Sequence, residues 1–396
     1  MKPSPAALLP AAAGAVLAAA LTASADVALP QPGIPPDALP PSLVPVTAPS
    51  AGARFRLVGA PFAQYSPETS WGFGAGGLLW FHADPVAEAA GRISAVGVSL
   101  QRTLREQADA SVDWDLYLSK GRLRMSGALR DERWPSMLWG PGAAGGARGE
   151  SYVARSVRAE AGLAALVAEA GKGRGLWLGL QARGRTDGLG SVDPGGLLDR
   201  CAVTGCRGGT VLSLAATVAW DTRDHVLSPQ RGLLVSARAG GAFSSLDGRG
   251  GGLSNFAEGE LEARAWLPLA LPHGARLGLQ ARLHAAAGVV PFYVRPTFGG
   301  DHSLRGVLEG RWRDLTALSL QAEYAVPLFW RLGVDFFGGS GQVAPRPGGL
   351  AWGRFVPAGG AGLRLTVDRA DRVFVRLDRG YSPGFATWYA SIGEAI

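Results

Sequence analysis

The chain has 396 residues, of which 47% are hydrophobic and 18% charged, and its formal net charge is +7. A charged fraction below the soluble average of about 25% excludes a disordered chain and argues against an ordinary soluble enzyme. The positive charge comes from arginines scattered singly, with lysine only at Lys2, Lys120 and Lys172; nucleic acid, which asks for a basic stripe or tail, is excluded as a partner.

In chain order the first element is a leader. Met1-Lys2 precede an Ala/Leu-rich run from Ala6 to Leu21 that ends in Ala23-Ser24-Ala25. A positive start, an apolar stretch and a small-x-small site describe a secretory signal peptide over 1–25, cleaved after Ala25. A membrane anchor needs ~20 apolar residues, and Pro10 and Gly14 interrupt this run. Residues 26–53 are Pro-rich without a core-forming pattern and read as an extended periplasmic linker. No later stretch reaches the ~18 uninterrupted apolar residues of a transmembrane helix.

From 54 to 396 the chain alternates instead. Leu277, Leu279, Ala281 and Leu283 oppose Arg276, Gln280, Arg282 and His284. Glu258, Glu260, Glu262 and Arg264 share one face; Leu261, Ala263, Ala265 and Leu267 share the other. Leu176, Leu178, Leu180 and Ala182 oppose Gln181 and Arg183, and Val373, Val375 and Leu377 oppose Arg376 and Asp378. Period two gives every strand one oily and one charged face. A soluble antiparallel sheet alternates in the same way. Segments of about ten residues, the export signal, and the need of every backbone group in lipid for a partner favour an all-β fold, a transmembrane antiparallel β-barrel.

About sixteen strands are expected. The first eight fall near 54–63, 71–81, 91–102, 108–118, 121–131, 150–168, 174–186 and 210–220. The rest fall near 232–242, 254–268, 275–286, 315–326, 331–338, 358–368, 372–380 and 385–394. Long connections (132–149, 187–209, 287–314, 339–357) follow odd-numbered strands, and short ones such as 119–121 and 369–371 follow even-numbered strands. Short periplasmic turns and long outer loops are the asymmetry expected of an outer-membrane barrel in a Gram-negative bacterium.

Cys201 and Cys206 lie in the fourth long loop as "CAVTGC". In an oxidising compartment they read as a local disulfide; no His or carboxylate follows at ligand spacing, so no metal is expected there. Gly72, Gly74 and Gly77 match a G-x-G-x-x-G pattern, but no βαβ unit follows and no nucleotide or other cofactor is expected. Of the histidines His82, His225, His273, His284 and His302, only His284 falls mid-strand. Its parity places it in the lumen, which weighs against a lipid-facing Ser/His hydrolase. Trp80, Phe81, Trp352, Trp388 and Tyr389 fall near strand ends and read as an interfacial girdle.

"TFGGDHSLRGVLEGRWRD" (297–314) resembles the sixth-loop signature of the BamA/TamA superfamily, also called bacterial surface antigens. "PFAQYSPETSWGFGAG" (61–76) resembles its opening hairpin and "RWPSMLWGPG" (133–142) its third loop. "DTRDHVLSPQRG" (221–232), with Asp221, Arg223, Asp224, Pro229 and Gly232, is similar to the turn before its ninth strand. The end, "GAGLRL…VRLDRGYSP…WYASIGEAI", resembles its closing strands. The resemblance covers roughly 55–396.

The resemblance implies that the long sixth extracellular loop folds into the lumen, where an Arg-Gly pair, here Arg305 and Gly306, meets charged residues on the wall. A guanidinium offers five donors in a rigid fork suited to a bidentate carboxylate bond. Gly306 permits close backbone approach or positive φ. Two positions depart from the family. Val307 stands where an aromatic usually follows, so ring packing is expected to be lost. The partner strand's Phe-x-Asp-x-Gly is here Phe337, Gly339 and Gly341. The expected tether partners are therefore Asp335 or Glu323, the latter with Gln321.

Members of this superfamily insert barrel proteins or move cargo across the outer membrane. They usually carry POTRA domains, for which the ~29 residues from Asp26 to Arg54 are too few. The expected function is insertion or transport of protein or lipid with separate periplasmic partners, among outer-membrane lipids and lipopolysaccharide. A passive porin-like channel or surface antigen, and an outer-membrane lipid hydrolase, are the alternatives.

Overall fold

The computed structural model describes residues 55–396 apart from 67–69, 82–93, 105, 141, 143–148, 172, 225–227, 248–251, 270–273, 302, 369–372 and 393. The expected signal peptide (1–25), the linker (26–53) and His82, His225, His273 and His302 lie outside the described residues.

Strands β1 (Phe55–Ser66), β2 (Ser70–Phe81), β3 (Ser94–Thr103), β4 (Ala108–Leu118) and β5 (Leu123–Leu138) open the chain. They are followed by β6 (Glu150–Gly171), β7 (Arg174–Gly190), β8 (Gly208–Asp221), β9 (Gly232–Leu246), β10 (Gly252–Pro268) and β11 (Arg276–Gly288). The two-residue strands β12 (Thr297–Phe298) and β13 (Trp312–Arg313) lie within the next long loop. The chain closes with β14 (Thr316–Pro327), β15 (Leu332–Ala344), β16 (Val356–Asp368), β17 (Val373–Ser382) and β18 (Phe385–Ile392).

Sixteen of these form one antiparallel sheet in which chain neighbours are sheet neighbours, with β11 passing directly to β14. The small β12–β13 ribbon stands apart from it. The sheet is rolled. Strands β10 and β18 are six positions apart in its order, roughly 29 Å at ~4.8 Å per strand. The four residues beyond β18 can span at most ~14 Å. Yet Trp266 Nε1 on β10 donates to the Ile396 carbonyl at 3.3 Å, which only a curved wall allows.

Alternation sorts the faces as the period requires. Leu178, Leu180, Leu212, Leu214, Leu261 and Leu267 are exposed on the outside. The opposite face carries ion pairs between neighbouring strands: Arg124–Asp115 at 2.7 Å, Arg130–Asp109 at 3.0 Å, Arg183–Glu160 at 2.9 Å and Arg282–Glu260 at 2.5 Å. His284 faces Glu260 in register on this inner wall. Many of the scattered arginines thus line a lumen.

Several strands run past their expected ends. β5 continues to Leu138, seven residues beyond 131, and β15 continues to Ala344. Along β5 the outward residues change from Leu129 to Asp131 and Arg133. The oily alternation stops there while backbone pairing with β6 goes on to Leu138↔Glu150. Patterning reports where the wall is greasy, not where the ladder ends.

Candidate functional site

The connection from β11 to β14 folds inward and is stapled to the wall by apolar contacts first. Phe298, Leu304 and Val307 from the loop pack with Ala317 and Val343 from β14 and β15 in one buried cluster. Here Gly339, which replaces the expected carboxylate, finds its reason, as does Gly341, which keeps the family's glycine. A Cβ at Gly339 would lie 2.7 Å from Leu304 Cδ1, and one at Gly341 would lie 2.6 Å from the Phe298 ring. The loop sits flush on the wall, and no side chain fits beneath it.

Arg305 is then completely buried. Its Nη2 donates to Glu323 Oε2 on β14 at 2.7 Å, and its Nη1 to Asp378 Oδ2 on β17 at 2.7 Å. Asp335 Oδ1 on β15 is 3.7 Å from Nη1, an ion-pair contact beyond hydrogen-bond length. Gln321 Oε1 accepts from the backbone N–H of Arg305 at 3.0 Å and from its Nε at 3.4 Å. The guanidinium carbon lies 3.8 Å from the Phe337 ring centroid, a cation–π contact. The fork therefore engages three strands and a ring at once.

Gly306 combines both freedoms expected of it. Its φ is +96°, and an added Cβ would stand 2.7 Å from the backbone of Tyr381. Its N–H donates to the Tyr389 hydroxyl at 2.9 Å. Two expectations are corrected. Ring packing is not lost with Val307, because Phe337 and Tyr389 supply aromatic contacts from the wall. Tyr389 is a tether residue rather than girdle; its neighbour Trp388, exposed on the other face, keeps that reading. The side chain of Trp80 lies outside the described residues.

A second ring of arginines neutralises the same carboxylates. Arg364 on β16 donates to Asp335 Oδ2 at 2.8 Å and also pairs with Glu323. Arg376 on β17 reaches Asp378 Oδ2 at 2.7 Å and, at 3.0 and 3.1 Å, both carboxylate oxygens of Asp301 in the loop. Arg276 on β11 donates to Glu323 Oε1 at 3.0 Å. Asp378, Arg364, Arg376 and Arg276 were not expected at the tether, although alternation put Arg276, Arg376 and Asp378 on a charged face. Asp378 carried a signal, since it shares an inward face with Arg376 inside the closing motif; the others are ordinary lumen-facing positions whose partners only the roll of the sheet brings near.

The network continues to the C-terminus. Glu394 accepts from Arg276 at 2.5 and 2.6 Å and from Arg364 Nη1 at 3.1 Å. Ala395 and Ile396 are buried, and the Ile396 carbonyl accepts from the Trp266 indole N–H. The last residues thus turn into the lumen.

The turn motif between β8 and β9 joins this end. Arg223 Nε and Nη2 donate to Asp221 at 3.0 and 2.9 Å, while Asp224 Oδ1 caps the N–H groups of Gln230 and Arg231 at 2.9 and 3.2 Å. The Pro229 carbonyl accepts from Arg276 Nη1 at 2.7 Å, and Ser228 donates to Glu394 Oε1 at 3.1 Å. Gly232 opens β9 with φ +121°.

At the opposite end of the lumen, Cys201 and Cys206 are bonded to each other. Their hairpin packs on the start of the inward loop: Leu198 clusters with Phe292 and Tyr293, and Phe292 N–H donates to the Thr204 carbonyl at 2.9 Å. Among the described residues no group of three or more His, Cys, Asp and Glu is placed to hold a metal. Chemically the centre is an electrostatic latch. Four guanidiniums and five carboxylates interlock in the lumen, and nothing in the cluster is arranged as nucleophile and base.

No profile of a known protein family matches the chain, and no curated protein sequence matches it significantly. Solved structures do resemble it. CdiB from Acinetobacter baumannii superimposes with a TM-score of 0.55 at 14% identity, over 86% of this chain and 59% of that one. CdiB from Escherichia coli gives 0.55 at 12% identity, over 89% and 64%. BamA from Haemophilus ducreyi lacking POTRA domains 1-3 gives 0.52 at 13%, over 86% and 70%. The chain spans less than two thirds of either CdiB. At these identities the likeness is one of fold: this chain has the β-barrel architecture shared by BamA and CdiB.

Proposed function

We propose that this chain is an integral outer-membrane barrel that inserts or transports polypeptide or lipid, together with periplasmic partners on separate chains. An apolar outer face and an ionic inner face suit a wall standing in lipid, where strands can cross only as a barrel with its backbone groups paired. A loop tethered inside the lumen should plug it, whereas a passive porin keeps its lumen open. The observation that carries this reading is Arg305, buried in the lumen and held by carboxylates of two wall strands. A loop fastened that firmly closes the lumen at rest, and opening becomes a controlled event.

The test has two arms. In planar bilayers the wild-type barrel should show little steady conductance, and Arg305→Ala should raise it. In proteoliposomes seeded with the barrel, an unfolded outer-membrane client should fold faster than in empty liposomes. A large conductance indifferent to Arg305→Ala would identify a porin instead. Client folding no faster than in empty liposomes would remove the assembly role.

A further inference from the structure

The outside of the wall carries its own concentration of positive charge. Arg102 on β3, Arg133 on β5 and Arg155 on β6 occupy one row of the sheet: the register joins Arg102 to Ala108, Ala108 to Arg133, and Arg133 to Arg155. All three are exposed, on the face that also presents Leu100, Leu129 and Val157. At ~4.8 Å per strand the row is about 14 Å wide. Arg207, from the connection between β7 and β8, lines the same outer groove, whose volume is about 990 Å³.

Depth in the wall says what the row faces. Down the outer face of β6 the residues are Val157, Ala159, Ala161, Leu163, Ala165 and Val167 without interruption, and Arg155 is the next outward residue on the long-loop side. Those residues span ~33 Å of strand at ~3.3 Å each, or ~24 Å of height at a tilt near 45°, which matches the ~25 Å apolar band of such barrels. The arginines therefore stand where acyl chains end and headgroups begin. The strands continue beyond them, β5 to Leu138 and β6 from Glu150, so the wall rises alongside any headgroup bound there.

The row is also undercompensated. In the lumen Arg124, Arg130 and Arg183 each hold a carboxylate within 3.0 Å. On the outside, the ion-pair partner of Arg133 among the described residues is the exposed Glu106 at 3.7 Å. Asp131 stands one step nearer the apolar band. Among the described residues no carboxylate forms an ion pair with Arg102, Arg155 or Arg207. Guanidinium forks exposed at a lipid boundary match phosphate oxygens in both charge and geometry, and basic pockets beside apolar walls are a recurrent form of headgroup site.

We propose that the Arg102–Arg133–Arg155 row binds a phosphorylated glycolipid of the leaflet on the long-loop side. Its phosphates sit on the guanidiniums and its acyl chains lie on Leu100, Leu129 and Val157. The proposal rests on the membrane-spanning reading above but not on any assembly activity.

Native mass spectrometry of the full-length barrel in nonionic detergent tests it, with diphosphoryl lipid A, monophosphoryl lipid A and inorganic phosphate as probes. Wild type should retain diphosphoryl lipid A at a concentration at least tenfold lower than the R102Q/R133Q/R155Q variant, with monophosphoryl lipid A intermediate. Inorganic phosphate at the same concentration should not displace it. Each single Arg→Gln variant, one exposed change apiece, should weaken retention about threefold, which keeps the test open if the triple variant folds poorly. Equal retention by wild type and all variants, or displacement by inorganic phosphate, overturns the site. A chain that stayed in solution without detergent would overturn the membrane reading itself, and that outcome is read separately.

Discussion

Arg305 and Asp378 are 73 residues apart in the chain and meet at 2.7 Å inside the lumen, both without solvent exposure. Asp378 also receives Arg376 at 2.7 Å, so one carboxylate fastens the loop to the wall and braces the wall itself. Arg305→Ala leaves carboxylates buried with fewer partners, an arrangement that costs about 3–5 kcal/mol. Urea unfolding in detergent should show that loss. A cycle with Asp378→Asn should give a coupling above about 1 kcal/mol, since the two side chains are in contact. Additive effects of the two changes would mean that the ion pair contributes nothing of its own.

Gly306 and Gly384 separate backbone strain from steric conflict. Both have positive φ, +96° and +74°, but a Cβ at Gly306 would lie 2.7 Å from Tyr381 backbone while one at Gly384 meets nothing within 4 Å. Gly384→Ala should therefore cost only the left-handed penalty of about 1–2 kcal/mol. Gly306→Ala should cost more and should expose the inward loop to protease. Equal stability of the two variants, with the loop protected in both, would show that the loop can withdraw from the wall without consequence.

How much of this could be read beforehand follows from the range of each signal. Alternation is local, so the strands and the inward face of Glu258, Glu260 and Glu262 were readable, as was the strand count of the main sheet. Motif resemblance pointed to Arg305 and Gly306, and Glu323 was among the partners expected. Asp378 and Tyr389 were not expected at the tether, because their contact with the loop depends on how far the sheet curls, which no local pattern encodes. Gly339 looked like a missing carboxylate, and Gly341 matched the family's glycine. Their meaning is spatial, as the seat for Leu304 and Phe298. Glu394 was missed for a simpler reason: it was expected inside the last strand, 385–394, but that strand ends at Ile392 and the chain turns away from the wall's alternation.

The Cys201–Cys206 bond closes a short loop whose hairpin rests on Phe292 and Tyr293. Loop-closure entropy for so few residues predicts a contribution of about 2 kcal/mol to local stability. Cys201→Ser/Cys206→Ser should leave the strands protected in hydrogen exchange and speed exchange in 191–207 and at the start of the inward loop, around 289–296. If the increase stayed confined to 201–206, the packing between the two loops would carry no mechanical link.

At the other end, Glu394 sets a pH dependence whose sign can be worked out. Burial opposes its ionisation, but Arg276 and Arg364 outweigh burial and hold its carboxyl below the ordinary glutamate range. A carboxylate depressed in the folded state stabilises fully above its unfolded value, near 4.3, and loses that contribution as pH falls through the folded value. The C-terminal residues should therefore stay protected from hydrogen exchange, after correction for intrinsic rates, down to about pH 4, and open only below it. Glu323 shares both arginines, so Glu394→Gln is needed to isolate the effect. In that variant the tail should exchange faster at neutral pH, because only the Trp266 contact with Ile396 and apolar burial remain to hold it. Wild-type protection fading already between pH 5 and 6, or a Glu394→Gln tail as protected as wild type, would show that the ion pairs to Arg276 and Arg364 do not anchor the C-terminus.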